Sequence, residues 1–356
     1  MGPLAGIKVV ELAGIGPGPF ACMLFADLGA DVIRVTRPSD QTPKDTLLRG
    51  RPALGLDMKS PEGLAQVKAL IEAADVLVEG FRPGVTERLG LGPDDCAAIN
   101  PRLVYARMTG WGQDGPRAQQ AGHDINYLSL TGGLHAIGER GRRPVPPLNL
   151  AADFGGGSLY LLMGVLAALV ERQTSGRGQT VDVAMVDGAS SLLAMPQSFR
   201  SSGIWRDERG SNMIDGGTPY YRCYETSDGK YMAVGCLEPQ FFAAFAERIG
   251  VELPPQLDLS RYDEMHAILE ERFATKTRDE WTAIYDGTDA CVTPVLTLAE
   301  ASSDPHLAFR GSVTTADGWT QPGTAPRFSR TPGEVGAPAA APTTELDDAT
   351  REAWRR

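Results

Sequence analysis

The chain has 356 residues, 42% apolar and 7% aromatic, which exceeds one ordinary domain and supplies enough apolar side chains for full cores. A formal net charge of −11 excludes a general nucleic-acid or anionic-membrane surface, so an anionic ligand would need a local cluster of arginines. The five cysteines (Cys22, Cys96, Cys223, Cys236, Cys291) are scattered, with no CxxC pair and no His/Cys spacing that suits zinc. They read as reduced thiols of a cytoplasmic protein with no metal site.

In chain order, "IKVVELA" reads as a buried strand and "PFACMLFADLGA" as a helix that starts after a proline and stops at Gly29. "DVIRVTRP" is the next strand. "SPEGLAQVKALIEAA" opens a helix with Ser60 as N-cap and Pro61 at the first helical position. "DVLVEGF" follows as a strand, "PDDCAAINP" as a short helix and "RLVYARMTGWG" as another strand. Strand runs without clean alternation, joined by helices, indicate a parallel sheet covered on both faces. That is a doubly wound, Rossmann-like α/β domain, whose ligands sit at the carboxyl ends of the strands. The N-terminus has a strand pattern and lacks the basic-then-apolar layout of a signal peptide.

An apolar helix runs from Ser158 to Arg172, and its apolar stretch from Leu159 to Val170 is too short to cross a bilayer. "GQTVDVAMVDGA" is a strand, followed by a helix through "SSLLAMPQSFRSSG". "YYRCYETSDGKYMAVGC" is a hairpin around Ser227, Asp228 and Gly229. Helices through "PQFFAAFAERIG" and "RYDEMHAILEERFATKTRDEWTAIYDG" and a strand at "ACVTPVL" complete a smaller α+β domain. The expected organisation is a large domain over 1–200 completed by 320–356, a linker at 201–219, a small domain over 220–308 and a return linker at 309–319. "GAPAAAPTT" reads as a low-complexity linker in an extended tail.

"GIGPGP", residues 14–19, occupies the first strand–helix turn, but Pro19 stands at the third glycine of a dinucleotide fingerprint. The second strand ends in "RVTRP", without the carboxylate that a nicotinamide ribose needs, which excludes an NAD enzyme. Arg34 and Arg37, with Arg82 in "EGFRPG" and Arg88 in "TERLG", suit a polyphosphate ligand instead. No P-loop is present.

Three residues carry candidate chemistry. His123, in "AGHDINY", is a proton-transfer candidate because histidine titrates nearest neutral pH. Asp153 lies in "LNLAADFGGGSLYLL", where Gly155, Gly156 and Gly157 remove side-chain bulk and would let amides at a helix start approach a developing oxyanion. Glu238, in "CLEPQF", ends a strand of the small domain. Taken singly, a locally bonded histidine, an N-cap aspartate and a surface glutamate are the plain alternatives.

The stretches "VVELAGIGPGPFACMLFADLGADVIRV", "EGFRPGVTERLGLGP", "YARMTGWGQDGP", "AGHDINYLSLTGGLHAIG", "PVPPLNLAADFGGGS", "RGQTVDVAMVDG" and "EPQFF" resemble the family III CoA-transferase superfamily. Within it they most closely resemble the α-methylacyl-CoA racemases of bacterial type, from the N-terminus to about Ser329.

The resemblance implies an interlocked homodimer acting on acyl-CoA thioesters in fatty-acid and lipid metabolism. It implies no cofactor beyond the CoA of the substrate itself. It assigns catalysis to His123 and Asp153, with Asn149 beside the aspartate and Glu238 supporting the histidine from the other subunit. CoA contacts fall on Arg37, on Leu56, Asp57, Met58 and Lys59, on Gly80, Phe81 and Arg82, and on Arg88. A further set falls on Gly122, Asp124, Ile125, Asn126 and Tyr127.

The implied reaction is racemisation at the α-carbon of a 2-methylacyl-CoA by proton transfer on opposite faces of an enolate. The alternative is a CoA-transferase that uses Asp153 as nucleophile, for which no histidine at 123 is needed. A non-catalytic acyl-CoA carrier would leave His123, Asp153 and Glu238 without a role.

Overall fold

The computed structural model describes residues 2–41, 44–316 and 318–354. Its main sheet is six-stranded and entirely parallel, in the order β3-β2-β1-β4-β5-β6. The strands are β1 (Lys8–Leu12), β2 (Asp31–Thr36), β3 (Ala53–Gly55), β4 (Val76–Glu79), β5 (Val104–Thr109) and β6 (Thr180–Ala184). β1, β4 and β5 are buried almost throughout, because helices cover both faces of the sheet. Strand order reverses between β1 and β4. The loops that leave their carboxyl ends therefore diverge and open a crevice.

Helix α1 (Pro17–Asp27) follows β1 and starts with Pro17 at its first position. In α2 (Pro61–Ala73), Ser60 Oγ accepts from Gly63 N at 3.0 Å, the N-cap that its sequence predicts. Short helices α3 (Val85–Arg88) and α4 (Pro93–Ile99) link β4 to β5, and α5 (Asp124–Leu130) and α6 (Gly133–Ala136) come after it. A π-helix over Leu150–Ser158 leads into α7 (Leu159–Ser175). Helix α8 (Met185–Leu192) begins directly after β6, earlier than expected, and α9 (Ala194–Ser201) follows it.

Of the described residues, one compact unit contains those up to Thr131, Pro147–Ala194 and those from Pro305 onward. The other contains Gly132–Pro146 and Met195–Asp304. These boundaries differ from those drawn from sequence, chiefly at 132–146. Arg209 accounts for the difference: it donates to His135 O at 2.8 Å and so fastens that strap to the second unit.

The C-terminal tail is not a free linker. Thr343 donates to Ala53 O at 2.9 Å and accepts from Gly55 N at 2.9 Å, extending the sheet beyond β3, and Trp354 is buried in the core of the first unit.

In the second unit, β7 (Tyr221–Glu225), β8 (Tyr231–Gly235) and β9 (Val292–Pro294) form an antiparallel sheet. It is packed by α10 (Pro239–Ile249), α11 (Tyr262–Phe273) and α12 (Arg278–Tyr285). The core there is aromatic, with Tyr224, Phe245, Phe273 and Trp281 buried, and Trp281 Nε1 donating to Phe273 O at 2.9 Å. Two short helices, α13 (Leu298–Ala301) and α14 (Pro305–Arg310), lead to a hairpin of β10 (Val313–Ala316) and β11 (Trp319–Pro322) where sequence suggested a linker. Helix α15 (Asp348–Ala353) ends the described chain.

Candidate active site

The crevice beside β1 and β4 holds a cavity of about 470 Å³, built by the first unit. Its walls are the loops after β1, β4 and β5 together with His123, Tyr127 and Asp153. On the β1 side the chain turns at Gly16, whose φ of +69° favours glycine. A Cβ at Gly16 would lie 3.6 Å from Asp153 Oδ2, so the turn passes directly over that carboxylate.

His123 immediately precedes α5, which the sequence suggests is loop-like. Its amide donates to Asn126 Oδ1 at 3.1 Å, and its carbonyl accepts from Asn126 N at 2.8 Å. The imidazole is left exposed at the cavity wall. The backbone here is clamped by Tyr127, whose hydroxyl donates to Gly122 O and whose ring stands edge-on to Trp111 with centroids 4.8 Å apart. A Cβ on Gly122 would come within 2.6 Å of the Tyr127 ring, so glycine is a packing requirement beside the histidine.

Asp153 sits in the π-helix. Ser158 Oγ donates to Pro17 O at 2.7 Å, and the Phe154 ring stacks on Phe20 at 4.3 Å, fixing the π-turn against α1. Burial and, second, the nearby Asp124 charge push the Asp153 carboxyl up to about 6, while a hydrogen bond from Asn149 and the proximity of His123 act in the opposite direction. The result is a carboxyl that exchanges protons near neutral pH, in the same cavity as an imidazole.

The three glycines play a different part from the one expected. They lie inside the π-helix, where Phe154 N donates to Asn149 O at 3.3 Å and Leu159 N to Phe154 O, and the amides between them belong to the same ladder. The amides of Gly155, Gly156 and Gly157 are therefore not free for an oxyanion. Instead, a Cβ on Gly188 of α8 would lie 1.9 Å from Gly156 O, and one on Gly156 would lie 2.5 Å from Ala189 N. The glycines let two helices touch backbone to backbone. The π-helix and α7 also run together as 26 residues, Leu150–Ser175, long and apolar enough to cross a bilayer by length and composition, unlike the shorter stretch read from sequence. In this fold α7 packs on β5, β6 and α1.

A family model for CoA-transferase family III matches residues 4–347. This chain belongs to that family. It is 47% identical over 333 residues to the α-methylacyl-CoA racemase of Mus musculus, covering 92% of this chain and 87% of the relative. It is 46% identical over the same length to the racemase of that name from Homo sapiens, with the same coverage. Among solved structures, a CAIB/BAIF family protein from Brucella suis superposes with a TM-score of 0.84 at 29% identity, covering 99% of this chain and 100% of that one.

Of the CoA contacts that resemblance to the family assigns, Gly80, Phe81, Arg82, Gly122 and Tyr127 line the cavity. Arg37, Asp57, Lys59 and Arg88 are exposed outside it: Arg37 just beyond β2, Asp57 and Lys59 beyond β3, and Arg88 on α3. Ile125 and Asn126 are exposed on α5, and Met58 packs partly on the core.

Three assignments need correction. The Leu56 side chain is buried in the hydrophobic core. Arg34, read from sequence as a phosphate-binding candidate, lies instead 3.8 Å from buried Glu11. Asp124 is only 5% exposed, and its Oδ2 accepts from the amides of Ala152 and Asp153 at 2.8 Å each. Asn149 hydrogen-bonds Asp153, while Glu238 belongs to the second unit, exposed at the N-cap of α10.

Buried charges under the crevice were missed from sequence. Glu79 at the end of β4 binds Arg107 Nε at 2.8 Å through Oε1 and accepts from Phe81 N at 2.7 Å through Oε2, which holds the "EGFRPG" loop. Arg107 also binds Glu87 at 2.8 Å. Glu11 at the end of β1 lies 2.9 Å from Arg51 Nε, and burial pushes its carboxyl up. The available signal was a charged residue inside an apolar strand, in "VVELA", "VLVEG" and "YARMT". Among the described residues, no group of three or more His, Cys, Asp or Glu side chains is arranged to hold a metal ion.

Proposed function

We propose that this protein is an α-methylacyl-CoA racemase that interconverts (2R)- and (2S)-2-methylacyl-CoA thioesters. The observation that carries the reading is the meeting of His123 and Asp153 in one cavity, in a chain 47% identical to a racemase of that name. One of the pair takes the α-proton, and the C–H electron pair moves into the thioester carbonyl to give an enolate. The other delivers a proton to the opposite face, and the roles exchange for the other enantiomer. An Asp153 carboxyl pushed up to about 6 suits both roles near neutral pH. The chemistry balances without metal or redox cofactor, since the proton lost is replaced and no electrons are transferred. A CoA-transferase would leave His123 without a role.

The reading extends to a homodimer in which Glu238 of the partner subunit supports His123. The exposed apolar residues Leu159, Met163 and Val170 along α7 support a partner surface, and Glu238 makes no side-chain bond to its own helix. Arg37 and Lys59 just beyond β2 and β3, Arg82 in the loop after β4 and Arg88 on α3 fit the phosphates of CoA. Five free cysteines fit a cytoplasmic enzyme. The test is incubation of one enantiomer of a 2-methylacyl-CoA in D2O. Loss of enantiomeric excess with α-deuterium incorporation is expected; full retention of configuration would refute racemisation.

A further inference from the structure

We infer that Asp124 is a positioning residue that acts through Asp153, holding its backbone in place and setting how readily its carboxyl gives up a proton. The inference rests on the racemase reading for its purpose, though not for its geometry. Asp124 is the first residue of α5, next to His123, and its side chain reaches across to the π-helix. One oxygen, Oδ2, accepts from both Ala152 N and Asp153 N at 2.8 Å. The other, Oδ1, is buried with no hydrogen-bond partner among the described residues. The dipeptide at 123–124 thus presents one acid–base group to the cavity and anchors the other.

Anchoring alone does not call for a carboxylate. An asparagine oxygen could accept the same two amides without the desolvation of a charge whose second oxygen has no partner. What the carboxylate adds is a negative charge against Asp153, and this charge is the largest influence after burial on that carboxyl. The other groups acting on Asp153 are Asn149 and His123, both favouring the charged form. Tyr127 is itself acted on by Asp153, which together with the larger effect of burial pushes its hydroxyl up to about 12.

The remaining elements packed on the π-helix hold their charges elsewhere. On α1, Asp27 pairs with Arg49; on β5, Arg107 pairs with Glu79; on α7, Arg172 pairs with Asp75. On α8, Asp187 acts on Asp182 of β6.

The experiment compares the full-length wild type with Asp124→Asn and Asp124→Ser, with folding checked by circular dichroism. The Asp153 carboxyl is titrated by NMR on protein carrying carboxyl-13C aspartate, its resonance assigned with Asp153→Asn. In Asp124→Asn the Asp153 midpoint should fall by about one pH unit, an ordinary effect of removing an adjacent like charge. The acid limb of kcat/KM for a 2-methylacyl-CoA should move the same way, with KM changed no more than about twofold.

An unmoved midpoint in the folded variants would overturn the proposal. Loss of fold in both would overturn it too, making the residue a requirement of folding alone. A shifted midpoint in a protein that racemises no 2-methylacyl-CoA would uphold the link between the two aspartates and remove the racemase reading.

Discussion

The two sides of the binding crevice are built on opposite principles. Around Asp153, polar groups are buried or half-buried and tied down: Asp124 to two amides, Ser158 to α1, and Tyr127 to the Gly122 carbonyl. Away from that corner, Arg37 and Lys59 just beyond β2 and β3 and Arg88 on α3 stand exposed. Proton transfer needs its group held within a fraction of an ångström in a low-dielectric corner, where its proton affinity can be tuned. Gripping a phosphate needs only a cation within reach, which an exposed side chain supplies. Substitutions in the corner should therefore act on kcat, and substitutions of these exposed cations on KM.

The largest expected effect is in the corner. Asp153→Asn keeps the shape of the side chain but removes its acid–base function, and kcat should fall by at least about 100-fold with little change in KM. Steady-state racemisation measures it, and a loss confined to KM would break the contrast. Next comes the backbone contact beneath the corner. Gly188→Ala forces a Cβ to within 1.9 Å of Gly156 O, and the separation of the helices should cost about 1–3 kcal/mol, read as a fall in urea midpoint. A wild-type midpoint would show that the helices yield easily.

Arg37→Ala tests the outer side. KM should rise by several-fold, about 1 kcal/mol of binding, with a smaller change in kcat. An unchanged KM would remove Arg37 from the CoA site. The smallest effect is on stability. Because burial raises the Asp153 carboxyl in the folded protein, its contribution is fully present below its unfolded pKa and is lost as pH rises through about 6. Asp153→Asn should thus gain Tm relative to wild type at pH 8 more than at pH 5, the cost of a functional charge. Equal differences at both pH values would place Asp153 in a less perturbed setting.

The same division explains what was legible beforehand. The β1-to-β5 alternation of strand and helix follows from apolar runs and punctuation, and Ser60–Pro61 caps α2 as its residue types require. His123 stood out as one of only four histidines, set next to an aspartate, and Asp153 through the three glycines that follow Phe154. What lay out of reach was set by tertiary contact. A π-turn has no signature distinct from an α-helix over nine residues, so residues 155–157 read as a ligand cradle when they are a helix contact. Arg34 and Arg37 look alike three residues apart, yet only the structure shows that Arg34 lies beside buried Glu11. Helix α5, seven residues between glycine-rich turns, is too short for its period to register. The partners of Glu79 and Arg107 lie 28 residues apart, a pairing that only the sheet register brings together.

In the proposed racemase, His123 and Asp153 serve opposite faces of the same α-carbon. Each enantiomer of a 2-methylacyl-CoA, incubated separately in D2O with His123→Ala and with Asp153→Ala, reports this through α-deuterium incorporation. Racemisation should be nearly abolished in both variants. Each should still exchange one enantiomer slowly with retention, and the two variants should prefer opposite enantiomers. Exchange of the same enantiomer by both, or equal exchange of both enantiomers by each, would contradict the assignment of the two faces.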